Sequence, residues 1–173
     1  MKTHKRLLIP DMLIPHVSEI SPALLAERHG IRAVICDLDN TLAEWRSEQI
    51  AEEVTWWLEQ MTKAGMKICI ASNTHNMGRL KRVATQLNIK HVPSNAGKPG
   101  TAGLKRALSL MEAHPGEAAM VGDQLFTDIV AGNRLGLMTI LVNPLSPREF
   151  LGTRLITRTM ERFILHGPLE RPM

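Results

Sequence analysis

Ile31-Arg-Ala-Val-Ile-Cys-Asp-Leu-Asp-Asn-Thr-Leu42 is the stretch on which the fold turns. Arg32 to Cys36 is a β-rich run, and two carboxylates, Asp37 and Asp39, follow it at once. A strand that is apolar on successive residues, rather than on alternate ones, is covered on both faces. Two carboxylates leaving such a strand are costly to group unless something cationic joins them. Taken alone, the Asp-Leu-Asp pair has two readings: a strand-terminal turn or Asx cap, or a charged site.

The same alternation continues outward. From about Ser47 to Ala64 the spacing becomes helical, with Ile50, Val54, Trp57, Leu58 and Met61 on one face. Gly65 stops that helix. Lys67 to Ala71 reads as a second strand, and Met77 to Leu87 as a helix with Leu80, Val83, Ala84 and Leu87 inward. His91 and Val92 form a short third strand before Pro93. Thr101 to Ala113 is a helix closed by Pro115-Gly116, and Ala118 to Val121 a fourth strand. Phe126 to Leu135 is a further helix, and Met138 to Val142 a fifth strand ended by Asn143-Pro144. Apolar strands alternating with helices predict an α/β fold: a parallel sheet of about five strands with helices on both faces. The chain of 173 residues suits one domain. Its core spans about residues 31–143, with 1–30 and a C-terminal helix over 147–166 as extensions.

Ligands of such sheets bind beyond the carboxyl ends of the strands. Strand one ends at Asp37, strand two at Ser72 and strand four at Asp123, so three polar residues should share one rim. For Ser72-Asn73-Thr74 taken alone, the plain reading is a helix N-cap. For Lys98 taken singly, the plain reading is a solvated surface lysine.

Four segments in order carry a family pattern: Asp37-Leu-Asp-Asn-Thr-Leu42, Ser72 after its strand, Lys98 in Gly97-Lys-Pro-Gly100, and Gly122-Asp-Gln-Leu-Phe-Thr-Asp128. They resemble the four motifs of the haloacid dehalogenase (HAD) superfamily over roughly Ile31 to Val142. Within it they are similar to the YqeG-like phosphatases of subclass IIIA, a branch akin to the phosphatidylglycerophosphate phosphatases. The resemblance implies a Rossmann-like, three-layer fold and a phosphatase that cleaves a phosphate monoester through an aspartyl-phosphate. Asp37 would be the nucleophile, and Asp39 the general acid and base. Thr41, Ser72 and Asn73, with backbone N–H groups of the turn, would bind the phosphoryl group, and a helix start there would favour an anion. Lys98 would neutralise it and hold Asp37. Mg2+ would be held by Asp37, Asp123 and the backbone carbonyl of Asp39. Asp128 would orient Lys98 or reach the metal through water, while Asn40 and Gln124 are expected to support the loop. Gly97 and Gly100 would permit close backbone approach.

Asp37 and Ser72 lie about 35 residues apart and Ser72 and Lys98 about 26, each gap mostly filled by one helix. Neither holds a lid domain of roughly 50 residues. An open site without a large cap admits a phosphate on a bulky carrier, including a lipid head group.

Composition narrows the partners. The net charge of +4 favours anionic partners, and it also suits a plain basic surface. Aromatics are 3% and Tyr is absent, which argues against a base-stacking surface for single-stranded nucleic acid. Trp45, Trp56 and Trp57 are expected to serve core packing. Cys36 and Cys69 sit in apolar runs and read as buried free thiols of a reducing compartment. No stretch approaches the ~18 apolar residues of a membrane-spanning helix. Pro10, Asp11 and Pro15 interrupt the N-terminal apolar stretch, so the protein is expected in the cytoplasm. In the C-terminal stretch, Arg154, Arg158 and Arg162 recur beside an apolar band. Either a helix packed on the domain or a face against an anionic membrane fits that pattern.

Three functions follow. The leading one is a magnesium-dependent phosphatase acting on phosphatidylglycerophosphate. The second is a phosphatase of a soluble nucleotide, sugar phosphate or nucleic-acid end. The third is a non-catalytic binding module, which should lack Asp37, Asp39, Lys98 or Asp123, and all four are present.

Overall fold

The computed structural model describes residues 7–146. The amphipathic stretch over 147–166 lies outside the described residues. Six strands form one parallel sheet: β1 (Met12–Ile14), β2 (Ala33–Cys36), β3 (Lys67–Ile70), β4 (Lys90–His91), β5 (Ala118–Gly122) and β6 (Met138–Val142). Their order is β1-β6-β5-β2-β3-β4. The chain runs outward from β2 to β4, then crosses to β5 on the other side of β2. That puts the topological switch between β2 and β5, the place where such sheets bind ligands.

The helices are α1 (Glu52–Lys63), α2 (Met77–Leu87), α3 (Ala102–Met111) and α4 (Val130–Leu135). Successive strand residues point to opposite faces, and each face has its own apolar cluster. Val34, Cys36, Ile68 and Ile70 pack with Val54, Trp57, Met61, Leu80 and Val83 of α1 and α2. Ala33, Ile35, Cys69 and Met120 pack with Leu104, Ala107, Met111 and Ala131 of α3 and α4. The result is three layers, as expected. Both cysteines are buried and free, and burial pushes the Cys69 thiol up to about 12.

Four expectations are corrected. The sheet has a sixth strand: Met12–Ile14 of the N-terminal extension adds to the edge beside β6. Asp11 fixes it, accepting the Thr139 N–H at 2.9 Å. Pro10 and Pro15 bracket this strand, and an edge position tolerates them because it leaves N–H sites unused. Helix α1 begins at Glu52 rather than near Ser47. Residues 44–51 form a loop instead, and Glu52 and Glu53 supply the acidic first turn. The stretch after β5 opens as a π-helical turn, Leu125–Ile129, before α4. Core packing holds only for Trp57, which is buried and donates its indole N–H to the Ile20 carbonyl at 2.9 Å. Trp45 and Trp56 are exposed. No helix among the described residues is long and apolar enough to cross a membrane.

Candidate active site

After β2 the chain makes a tight turn. The Leu38 carbonyl accepts the N–H groups of Leu42 and Ala43 at 3.0 and 3.1 Å. Leu38 and Leu42 are fully buried and anchor the turn, while Asn40 adopts a left-handed conformation with φ 60°. Asparagine tolerates that region better than most residues. The Asn40 side-chain oxygen also accepts the Ser146 N–H at 3.3 Å, joining the turn to the segment after β6. The turn leaves Asp37 and Asp39 lining one cavity of about 620 Å3 with Ser72, Asn73, Lys98, Gln124 and Asp128.

Lys98 is the cation of the buried part. Its Nζ lies 2.8 Å from Asp37 Oδ1 and 2.7 Å from Asp128 Oδ1. Burial works to lower the lysine pKa, and Asp128 and Asp37 outweigh it, so the group is held above its ordinary value and charged. Two devices hold Lys98 in place. Asn73 brackets its backbone, accepting the Lys98 N–H at 2.9 Å and donating to the Lys98 carbonyl at 2.8 Å. Asp128 is positioned by the π-helical turn, and its Oδ2 accepts the Gln124 N–H at 3.1 Å. Such turns are frequent at functional sites. Gly122 makes room for this carboxylate, since a Cβ there would sit 2.1 Å from Asp128 Oδ2.

Asp123 stands across the switch point from Asp37 and accepts the Thr41 hydroxyl at 3.3 Å. Asp37, Asp123 and Asp128 each bring a carboxylate oxygen within 4.8 Å of the others, all buried. Burial, then Asp128 and Asp39, raise Asp37 to about 7 against the pull of Lys98. Burial, then Asp37 and Asp128, raise Asp123 to about 8. Three acids thus share one lysine, and burial with mutual repulsion holds Asp37 and Asp123 above the ordinary carboxylate range. With all three ionised, the single lysine leaves two negative charges unbalanced, and the donors are all oxygen. Those properties fit a hard divalent cation.

Other residues stand apart from their expected places. Thr41 is buried against Asp123 and does not line the cavity. Ser72 lines it, with Oγ accepting the Thr74 N–H at 3.2 Å. No helix starts at Ser72-Asn73-Thr74, because Asn76 caps α2. Gly97 is needed for its φ of +66°, since a Cβ there would touch nothing. Gly100 is needed for space, since a Cβ there would sit 2.8 Å from the Gly97 carbonyl oxygen. Two arginines at the site escape a reading of the sequence. Arg79 is buried and lies 2.8 Å from Asp39 Oδ1, and Arg46 stacks on the Trp45 ring at 4.1 Å. A signal for the first exists, because position 79 continues the inward stripe of Leu80, Val83 and Ala84.

A three-layer parallel sheet with this acidic cluster and lysine at its switch point defines a phosphohydrolase of the HAD type. The chain belongs to the family described as mitochondrial PGP phosphatase, whose model matches residues 1–146. It is 37% identical over 161 residues to "Probable phosphatase YqeG" of Bacillus subtilis, covering 93% of this chain and 91% of that one. It is 32% identical over 156 residues to the chloroplastic/mitochondrial phosphatidylglycerophosphate phosphatase 1 of Arabidopsis thaliana, covering 80% of this chain and 43% of that one. Among solved structures, its fold resembles a putative 3-deoxy-D-manno-octulosonate 8-phosphate phosphatase from Vibrio cholerae. That match has TM-score 0.55 and 15% identity, over 82% of this chain and 81% of that one.

Proposed function

We propose that the protein hydrolyses a phosphate monoester carried on a lipid head group, through an aspartyl-phosphate on Asp37 and with Mg2+ as cofactor. The observation that carries this reading is the buried triangle of Asp37, Lys98 and Asp128 beside Asp123. Asp37 Oδ attacks phosphorus as the bond to the leaving oxygen breaks, and Asp39 gives that oxygen its proton. Asp39 then takes a proton from water as the water attacks phosphorus and frees Asp37. Lys98 holds Asp37 in line and balances phosphoryl charge. The Ser72 hydroxyl, its oxygen held by the Thr74 N–H, offers a donor to a phosphoryl oxygen. Asp37 and Asp123, with the Asp39 carbonyl, would hold the magnesium, which lowers the repulsion between carboxylates and phosphate when bound.

The lipid reading is supported by the family, by the named substrate of the Arabidopsis relative and by an open site. Among the described residues, the stretches 37–51 between β2 and α1 and 71–76 between β3 and α2 are too small to form a large cap over the cavity. One experiment tests mechanism and substrate together. Phosphate release is measured from phosphatidylglycerophosphate in mixed micelles, from glycerol phosphate and from nucleotides, with and without magnesium, for wild type and Asp37→Asn. Lipid turnover should be fastest, require magnesium and fall by at least about 10⁴-fold in the variant. Activity on the lipid equal to or below that on soluble esters would sink the lipid reading. Unchanged activity in Asp37→Asn would remove the nucleophile.

A further inference from the structure

Asp39 is held by a clamp built around one buried arginine. Arg79 sits in the first turn of α2 and is only 4% exposed. Its Nη1 lies 2.8 Å from Asp39 Oδ1. Its Nε and Nη2 both donate to the Ser47 carbonyl, at 2.9 and 2.5 Å. The Asp39 oxygen that meets Arg79 also accepts the Arg46 N–H at 3.1 Å. Asn76 fixes the base of the clamp by accepting the Arg79 N–H at 2.9 Å. Among the described residues, every hydrogen bond to the Asp39 carboxylate falls on Oδ1, and Oδ2 has none. One oxygen is pinned and the other is left for chemistry in a cavity that Asp39 lines.

We propose that Arg79 is a positioning residue for proton transfer: it locks Asp39 Oδ1 so that Oδ2 exchanges the proton with the leaving oxygen and then with water. The inference rests on the acid and base role given to Asp39 above. Bond changes follow from that role. The proton leaves Oδ2 as the bond from phosphorus to the leaving oxygen breaks, and another returns to Oδ2 when water attacks the phosphorus on Asp37. A planar guanidinium suits the task because it spans the carboxylate and a backbone carbonyl at fixed angles, which an ammonium cannot do. Positioning matters because small misalignments of a reacting group cost large rate factors. A neighbouring contact provides an internal control. Arg82, one turn along α2, pairs with Glu48 of the same loop at 2.5 Å and does not touch Asp39.

The test is the dependence of kcat/KM on the leaving group, which a merely structural role would not move. Aryl phosphates from 4-nitrophenyl to phenyl phosphate are compared for wild type, Arg79→Met, Arg79→Lys, Arg82→Ala and Asp39→Asn. The nitrophenolate leaves readily without a proton, whereas the phenolate needs one. Arg79→Met should lose roughly 30-fold on phenyl phosphate and less than about threefold on 4-nitrophenyl phosphate, a part of the roughly 10²–10⁴-fold that general acid catalysis contributes. Arg79→Lys should show the same preference with a smaller loss, and it decides the matter if the methionine variant does not fold. Arg82→Ala should keep the wild-type ratio. Equal losses on both substrates in the Arg79 variants, with a clear preference in Asp39→Asn, would overturn the clamp alone. If Asp39→Asn itself shows no preference, the acid role of Asp39 falls and the clamp falls with it.

Discussion

Asp37 and Asp39 flank a single buried leucine, and the fold gives them opposite surroundings. Asp37 is buried at the carboxyl end of the central strand β2 with Lys98, Asp123 and Asp128, and burial lifts its pKa to about 7. The Asp39 side chain keeps 21% of its surface and meets a guanidinium and a backbone N–H on one oxygen. The first environment crowds negative charge and calls for a cation. The second holds one carboxylate still and leaves its other oxygen accessible. The proposed mechanism assigns these identical residue types different work, attack to one and proton transfer to the other, and the turn at Asn40 sets the surroundings on which that division rests.

The sharpest way to break this contrast is to remove the cation from the buried side. Lys98→Met leaves Asp37, Asp123 and Asp128 without their lysine, and phosphatase activity should fall by roughly 10²–10³-fold. Urea unfolding at pH 8 should show a loss of about 3–5 kcal/mol, the usual cost of orphaning buried charges. The loss should shrink toward pH 5, where the freed carboxylates take up protons. A stability loss independent of pH would mean that the lysine contributes packing rather than charge balance.

A smaller change sharpens the comparison by moving one acid only. A Cβ at position 122 would fall 2.1 Å from Asp128 Oδ2, so Gly122→Ala must push Asp128 off Lys98. Activity should drop roughly tenfold through misplacement of the lysine, with overpacking costing about 1–3 kcal/mol. Asp39 and Arg79 lie outside this contact, so the leaving-group preference should stay as in wild type. A change in that preference would show the two environments to be coupled.

Much of this arrangement is legible in the sequence, and the rest is hidden for physical reasons. Strand β6 starts and stops where its apolar run does, and β2, β3 and β5 differ from theirs by one residue at an end, because continuous apolar runs force two-sided burial. The three strand ends share one rim because β5, β2 and β3 are neighbours. Strand β1 escapes the sequence because three residues between prolines carry no periodicity, and only pairing with β6 makes them a strand. The spacing starts α1 five residues early because Ile50 continues the apolar face, while Ser47 is drawn instead into a contact with Arg79. Lys98 is marked by its motif. Arg79 has no motif, and an arginine on an apolar stripe becomes meaningful only when a carboxylate from 40 residues earlier arrives beside it. Long-range ion pairs of this kind are set by tertiary structure, and local spacing does not encode them.

The mildest test uses protons as the probe of the buried side. Asp37 and Asp123 are raised from 3.8 to about 7 and about 8 in the folded, metal-free protein. The folded state therefore binds protons that the unfolded chain releases. Their contribution to stability is full below about pH 4 and is lost as pH rises through about 7 and 8. Magnesium binding needs these carboxylates ionised, so the metal should stabilise little at pH 5.5 and progressively more toward pH 8.5. Each displaced proton is worth about 1.4 kcal/mol per pH unit, and roughly 2–4 °C in Tm accompanies each kcal/mol in a chain of this size. Thermal melts with and without magnesium across that range should diverge by several degrees, and Asp37→Asn should flatten the divergence by removing one titrating ligand. Asp39→Asn should leave it nearly intact, since the metal is expected to use only the backbone carbonyl of that residue. Equal flattening by both variants would erase the division of labour between the two aspartates.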